Sequence, residues 1–315
     1  MFKKSNLLYS GISRDEKIII SFVIPTYKRA DYIRSAINSI ILQKNKSNIS
    51  FEIIVVNNDP SDSMQELIKE YKDNRIRFYS NEENYGQVGN INQGVFLAKG
   101  KYVSFLHDDD ILLDNYLNEI GKYVLSEKQA SCIVVTQYAM FDKYYFDLKH
   151  LLIHILTFYK FFYRKRTKTI RFKDCLNSFR DVYNPPTCGI LFNREILLTE
   201  NYFFDVSGAA WDFYNLREFN KKHKVCLIHK PLGIRRMFTG MSNDSKVVED
   251  FKADEEKLVE TNQDNRFIKK YGNDLLKQRG FAHRWAKVLA ALYFYSNNLD
   301  GIRFIPRRLY KMYNK

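Results

Sequence analysis

Three consecutive aspartates follow closely after an apolar segment of the chain. The segment covers residues 102–106, and the carboxylates are Asp108, Asp109 and Asp110. Oxygen ligands at a strand end suit Mg²⁺ or Mn²⁺, which can hold a diphosphate and offset the charge that develops when it leaves. The alternative is an acidic helix N-terminus, because Asp favours helix starts and a helical pattern follows at residues 112–124.

Polar loops also follow two earlier apolar segments. Residues 25–29 follow the β-branched segment 17–24, and Asn57 and Asn58 follow the segment 51–56. A polar turn with Asn84 lies between the second of these loops and the acidic cluster. The hydroxyl, amide and guanidinium groups of these loops could bind a polar ligand together with the carboxylates.

The elements that must position these loops alternate between strand and helix patterns. Strand patterns occur at residues 17–24, 51–56, 76–79 and 102–106, and helix patterns occur after Asp31, at 64–71 and at 88–98. Asp31 is placed to cap the first helix, in which isoleucines recur every four residues. This βαβα order predicts a doubly wound sheet that binds its ligand at the carboxyl ends of the strands.

Taken in order, the four polar motifs resemble the nucleotide-binding half of family 2 glycosyltransferases. The resemblance is close over residues 18–117 and looser over residues 184–242. It implies an α/β GT-A fold, in which a Rossmann-like, mostly parallel sheet is flanked by helices, here with a helical C-terminal region. It also implies inverting, metal-assisted transfer of a sugar from a nucleotide-diphosphate donor, most simply a UDP-sugar, with Mn²⁺ or Mg²⁺ as the cofactor.

The resemblance assigns roles to individual residues. Asn58 is placed at the base, Asp108 near the ribose, and Asp109 on the metal. The family usually has Asp-Asp where this chain has Asn57 and Asn58; an amide still binds a pyrimidine edge, but the choice of base becomes less certain. The donor-binding residues implied are Pro25, Thr26, Tyr27, Arg29, Asn57, Asn58, Asn84, Gly86, Asp108, Arg235 and Arg236.

Two arginines and one histidine also belong to the site that the resemblance implies. Arg235 and Arg236 are expected to hold the leaving diphosphate, because guanidinium groups bind phosphate oxygens in bidentate fashion. The family often has a histidine at the position of Phe238. His107, where the family often has Asp, is expected to be a structural histidine beside the site, with metal ligation as the alternative.

The family's catalytic base is a carboxylate in the acceptor half that takes the proton of the acceptor hydroxyl. Strict spacing places the usual Glu-Asp pair on Ala209 and Ala210. The alignment must therefore slip for Asp212 to serve as the catalytic base. We expect Asp212 in that role. The alternatives are Asp205, Glu200 and Glu218.

The net charge of +14 is concentrated in two aromatic, basic segments, residues 158–173 and 282–315. Apolar residues in the second segment share helical faces with Arg303 and Arg307 beside them, a pattern typical of a helix in an anionic membrane interface. Packing on the protein's own domain is the alternative. We expect a cytoplasmic protein, peripheral on the inner face of the cell membrane, with a lipid-linked or polysaccharide acceptor of the capsule type.

Three regions follow from these patterns: a donor-binding half at 1–137, an acceptor-binding and catalytic half at 138–245, and a helical basic region at 246–315. Neither a membrane-spanning segment nor a secretion signal is expected. The cysteines are too scattered for a zinc site and are expected to be buried thiols; they are Cys132, Cys175, Cys188 and Cys226.

Two other function classes are less well supported. A sugar nucleotidyltransferase shares the nucleotide-binding topology, but it normally has a glycine-rich loop after the first strand, and residues 25–29 contain no glycine. A basic nucleic-acid-binding protein would need a recognisable module, and no zinc finger, helix-turn-helix or RNP-like pattern is present. We therefore expect no nucleic-acid partner.

Overall fold

The computed structural model describes residues 4–11, 17–62, 64–126, 130–141, 168–170, 188–200, 215–216, 219 and 222–237. Most of these belong to one compact unit, made of residues 1–138, 165–207 and 211–235. A second unit contains residues 139–164, 208–210 and 236–315, of which only 139–141 and 236–237 are described. The three sequence regions proposed above stay a prediction.

Four parallel strands form the centre of the described sheet. They are β2 (Ile20–Thr26), β3 (Phe51–Asn57), β4 (Ile76–Asn81) and β5 (Tyr102–Phe105), in the spatial order β4-β3-β2-β5. Every residue of β3, β4 and β5 is buried, as expected of parallel strands covered on both faces. The predicted α/β class with a parallel central sheet is confirmed.

Helices cover both faces of these strands. They are α1 (Ala30–Ile41), α2 (Gln65–Glu70), α3 (Gly86–Leu97), α4 (Tyr116–Val124) and α5 (Arg194–Thr199). The predicted apolar stripe of α1 is buried at Ile33 and Ile37. The cap prediction was wrong by two residues: α1 starts at Ala30, and Arg29, not Asp31, holds the N-cap position without a side-chain cap bond.

Antiparallel strands extend the sheet on both sides. They are β1 (Ser5–Ser10), β6 (Ile111–Leu112), β7 (Cys132–Phe141), β8 (Lys168–Ile170), β9 (Ile190–Asn193) and β10 (Val225–Met237). The full order is β1-β4-β3-β2-β5-β9-β7-β10-β6, with β8 paired to β10. The sequence patterns did not predict β1, whose short polar and apolar run pairs with the edge of β4.

The acidic cluster occupies the loop between β5 and β6. Helix α4 begins only at Tyr116, with Asn115 in its N-cap position. The alternative of an acidic helix N-terminus at residues 108–110 is therefore wrong, since a short strand separates the carboxylates from the helix.

Cys132, Cys188 and Cys226 are buried free thiols, as predicted, and Cys175 lies outside the described residues. Within the described ranges, we find no helix with the length and apolar character needed to cross a bilayer.

Candidate functional site

The carboxyl ends of β2 and β5 bring two of the predicted loops into direct contact. The Thr26 hydroxyl donates to Asp108 Oδ2 at 2.8 Å, and both side chains are buried. The backbone N–H of Asn58 donates to the Thr26 carbonyl at 2.9 Å, which joins the end of β3 to the same edge. Residues distant in sequence thus converge where a doubly wound sheet binds its ligand.

Arg29 bridges the two carboxylates that the sequence placed at the ribose and the metal. Its Nη1 lies 2.8 Å from Asp109 Oδ2 and 3.4 Å from Asp108 Oδ1. The preceding residue, Lys28, adopts a left-handed backbone conformation with φ of 55°. This turn connects the end of β2 to α1 and contains Arg29.

The electrostatics of the cluster are dominated by burial. Burial and, to a lesser extent, the negative charge of Asp109 raise the pKa of Asp108 to about 6, against the opposing effects of Arg29 and Thr26. Burial also lowers the pKa of His107, and the positive charges of Arg235 and Arg29 add to that effect, while Asp109 opposes it. A neutral His107 ring beside the carboxylates is consistent with the structural role expected of it.

Strand β10 brings Arg235 close to the acidic loop. Gly233 pairs with Leu112 and Ile234 with Ile111, so Arg235 is one step beyond the last pair, next to Asp110. Arg236 follows it on the strand and has a half-buried side chain. Successive strand residues point to opposite faces, and the charge of Arg235 is the one that acts on His107.

The amides after β3 are bound within the protein. Asn57 Nδ2 donates to the carbonyls of Asp59 and Asp62, each at 2.9 Å, and its Oδ1 accepts from the Asp59 N–H at 3.0 Å. Asn58 Nδ2 donates to Asn84 Oδ1 at 2.6 Å and to the Gly86 carbonyl at 3.2 Å.

The remaining predicted donor residues lie at the same edge. Pro25 is half-buried in β2, and Tyr27 is 42% exposed in the following turn. Gly86 opens α3 with φ of 71°, a conformation that favours glycine. Asn84 Oδ1 accepts from the Gly86 N–H at 2.9 Å, which fixes the start of the helix.

The carboxylates fit a divalent cation on the chemistry of their oxygens. Asp108 and Asp109 already converge on one cationic group, the Arg29 guanidinium, and a metal at Asp109 would compete with it for that carboxylate. No cluster of three or more His, Cys, Asp or Glu side chains suited to a metal occurs in the described part of the chain. A cation here would complete its shell with diphosphate oxygens and water, as Mg²⁺ commonly does.

The family model for glycosyl transferase family 2 matches residues 21–196, which is more than half of the 315 residues. The chain belongs to glycosyl transferase family 2. The enzyme class inferred from the motifs is therefore confirmed at the level of the family.

Individual proteins named as glycosyltransferases are similar to part of the chain. The chain is 38% identical over 113 residues to an uncharacterized glycosyltransferase of Methanocaldococcus jannaschii, covering 35% of this chain and 38% of the relative. It is 34% identical over 127 residues to glycosyltransferase GlyA of Streptococcus pneumoniae, covering 40% of this chain and 17% of the relative. The matched part thus spans well under half the length of either relative.

Solved structures of other glycosyltransferases share the fold. The S. aureus TarS 1–349 complex with UDP-GlcNAc has a TM-score of 0.55 at 17% identity, covering 72% of this chain and 61% of that chain. Mannosyltransferase PcManGT from Pyrobaculum calidifontis, in complex with GDP-Man and Mn²⁺, has a TM-score of 0.51 at 14% identity, covering 94% and 80%. The predicted GT-A type of α/β fold is confirmed.

Several residues and segments predicted to act in the site or at a membrane lie outside the described part of the chain: Asp212, Asp205, Glu218, Phe238 and the basic segments 158–173 and 282–315, apart from residues 168–170.

The alternative base Glu200 lies within the described residues. Its Oε1 lies 3.0 Å from His223 Nε2, and Lys222 is 3.7 Å from its other oxygen. Glu200 is therefore engaged at the end of α5 by two basic side chains.

The motifs missed two buried asparagines that take part in the site. Asn81 ends β4 and donates to Asn58 Oδ1 at 2.9 Å and to Asn90 Oδ1 at 2.9 Å. Asn90, inside α3, donates to the Val56 carbonyl at 3.0 Å. The available signal was an amide at the end of a strand pattern and another on an otherwise apolar helix face.

Proposed function

We propose that this family 2 member is an inverting glycosyltransferase that moves a sugar from a UDP-sugar to a lipid-linked or polysaccharide acceptor, assisted by Mn²⁺ or Mg²⁺. The observation that carries the proposal is the convergence of Thr26, Arg29, Asp108 and Asp109 at the carboxyl ends of β2 and β5. That edge is where doubly wound sheets bind nucleotides.

The donor would lie across this edge. Asp108 would face the ribose, Tyr27 is exposed beside it, and Arg235 brings a positive charge for the diphosphate. The UDP-GlcNAc bound to TarS supports a UDP-sugar as the donor. Pro25 and the loop residues around Asn58 complete the proposed donor site.

Asp109 would be the main protein ligand of the metal, and Arg29 would leave it when the cation arrives. The Mn²⁺ complex of PcManGT supports a divalent cofactor. A bound cation would supply Lewis-acid stabilisation of the departing diphosphate.

Asp212 is proposed as the catalytic base. Its carboxylate would accept the proton of the acceptor hydroxyl while that oxygen attacks the anomeric carbon and the nucleoside diphosphate leaves with the bonding electron pair. Asp212→Asn keeps the shape of the side chain but accepts no proton, so kcat should fall on the order of 10²- to 10⁴-fold with donor affinity retained. Full activity of this variant together with an inactive Asp205→Asn or Glu200→Gln variant would move the role to that residue.

The acceptor and the place of action are proposed from the basic segments. An enzyme that builds a lipid-linked, capsule-type polysaccharide would work at the inner face of the cell membrane, and residues 282–315 could hold it there through anionic lipid head groups. Sedimentation with vesicles of graded anionic-lipid content should show binding that weakens as salt rises. Equal sedimentation at all lipid compositions would contradict the membrane proposal.

The donor proposal is tested by nucleotide binding to the full chain. Thermal-shift measurements with UDP, GDP, dTDP and CDP, with and without Mn²⁺, should give the largest shift for UDP with metal, since stabilisation grows with ligand concentration over Kd. Asp109→Ala should remain folded and lose the metal-dependent part of the shift. Absence of a shift with every nucleotide would contradict the proposal.

A further inference from the structure

The side chain of Asn58 has no hydrogen-bonding capacity left for a ligand. An asparagine amide offers two N–H donors and two acceptor lone pairs. Its Nδ2 donates to Asn84 Oδ1 at 2.6 Å and to the Gly86 carbonyl at 3.2 Å. Its Oδ1 accepts from Asn81 Nδ2 and from the Tyr85 N–H, each at 2.9 Å.

These four bonds hold one short segment, residues 81–86, against the end of β3. The segment leads from β4 into α3, and Asn84 is exposed at its tip while Asn58 and Asn81 are 3% and 1% exposed. Asn81 and Asn90 extend the network inward to the Val56 carbonyl at the end of β3. The buried amide side chains of Asn58, Asn81 and Asn90 therefore hold this loop in place.

Strand β1 and the residue before it also bind residues of this loop. The Ser5 hydroxyl donates to Asn81 Oδ1 at 2.6 Å, and the Tyr85 hydroxyl donates to the Lys4 carbonyl at 2.6 Å. Lys4 Nζ also lies 2.8 Å from Glu82 Oε1. Because Ser5 bonds to the amide that bonds to Asn58, the strand and the network form one connected set.

We infer that Asn58 is a positioning residue of the donor site: it fixes the loop of residues 81–86, braced by β1, and does not read the base through its side chain. The inference rests on the proposed function, since it concerns how that donor site is shaped. A loop held in advance binds a ligand without the cost of ordering it on binding.

The deciding measurement is the Kd of UDP and of CDP, by calorimetry at fixed Mg²⁺, for the full chain and its Asn58→Ala variant. Uracil N3–H donates a hydrogen bond and cytosine N3 accepts one. The Gly86 carbonyl and the Tyr85 N–H fix which way the Asn58 amide faces, so an Asn58 side chain that contacted this edge would treat the two bases differently. We expect Asn58→Ala to weaken both nucleotides by a similar factor, on the order of tenfold, and to leave their ratio unchanged. A severalfold change in the ratio would overturn the inference.

Asn84 provides a matched pair of variants. Its Oδ1 accepts from Asn58 Nδ2 and from the Gly86 N–H. A carboxylate accepts both bonds, so Asn84→Asp should recover most of the UDP affinity lost in Asn84→Ala. Equal losses in the two variants would overturn the positioning role. This pair also tests the inference if Asn58→Ala fails to fold.

Ser5→Ala tests the outer brace, with Ser10→Ala as its control on the exposed far end of β1, where Ser10 pairs with Arg77. Ser5→Ala should weaken UDP severalfold, and Ser10→Ala should not change it. Equal affinity of these two variants would overturn the role of β1. If the unmodified chain bound neither UDP nor CDP, the proposed function would fail and this inference with it; UDP binding with a changed base ratio overturns the inference alone.

Discussion

The sheet carries an arginine–carboxylate cluster at each end of its parallel strands, and the two differ in how completely they are closed. At the amino ends, Glu52 and Arg77 are 0% and 5% exposed. Glu52 Oε1 accepts from the Ser21 hydroxyl at 2.6 Å and from the Lys99 N–H at 2.7 Å. Its Oε2 accepts two bonds from Arg77, through Nε at 3.0 Å and through Nη2.

The cluster at the carboxyl ends is open by comparison. Arg29 reaches both carboxylates through the single atom Nη1, and its side chain is 25% exposed. Arg77 uses its other N–H groups on the Tyr79 hydroxyl and the Leu97 carbonyl. The same residue types thus form a fully buried cluster at the amino ends of the strands and a more exposed cluster at the carboxyl ends.

The largest effect expected from this difference is on stability. Glu52→Gln leaves the Arg77 charge buried without its counter-charge, which should lower the free energy of unfolding by about 3–5 kcal/mol in urea denaturation. Arg29→Met, the matched change at the open end, should cost less than Glu52→Gln, because the Arg29 side chain is 25% exposed whereas that of Arg77 is 6% exposed. Similar losses of unfolding free energy in the two variants would contradict the difference between the closed and the open cluster.

A smaller effect is expected in the pH dependence of stability. The folded-state pKa of Asp108, about 6, lies above its ordinary value of 3.8, so the folded state holds this proton more tightly than the unfolded state. The stabilisation of the folded state by this bound proton is present below about pH 4 and is lost as the pH rises through about 6. Asp108→Asn should therefore have a higher free energy of unfolding than the unmodified protein at pH 8, by about 3 kcal/mol, with little difference at pH 4. Parallel stability curves of the two proteins would count against the raised pKa.

The smallest effect concerns cation exchange at the open cluster. With Arg29→Gln the carboxylates lose the internal positive charge that competes with a metal, so Mn²⁺ should bind without nucleotide about tenfold more tightly, or about 1.4 kcal/mol. Titration of free Mn²⁺ by electron paramagnetic resonance measures this directly. Arg29→Lys, which keeps a positive charge, is the control and should stay closer to the unmodified protein. Weaker Mn²⁺ binding by Arg29→Gln would mean that Arg29 does not occupy the cation position.

Local sequence patterns predicted the central part of the fold well. The β-branched run before Pro25 and the apolar run at residues 51–56 predicted strands, because strands buried on both faces show no polar alternation. The structure extends the second of them by one residue, to Asn57. The acidic cluster was located correctly at a strand end, and its position next to Thr26 followed from the rule that carboxyl ends of parallel strands meet at one edge.

What only the tertiary structure decided is which distant groups become partners. Periodicity records whether a residue is buried, but it does not record register, so the pairing of β1 with β4 and the placement of Arg235 beside the acidic loop were not readable from the sequence. The same holds for Asn58, whose residue type suits a ligand contact. Its four bonds to segments more than twenty positions away, and not its type, determine that its amide is occupied.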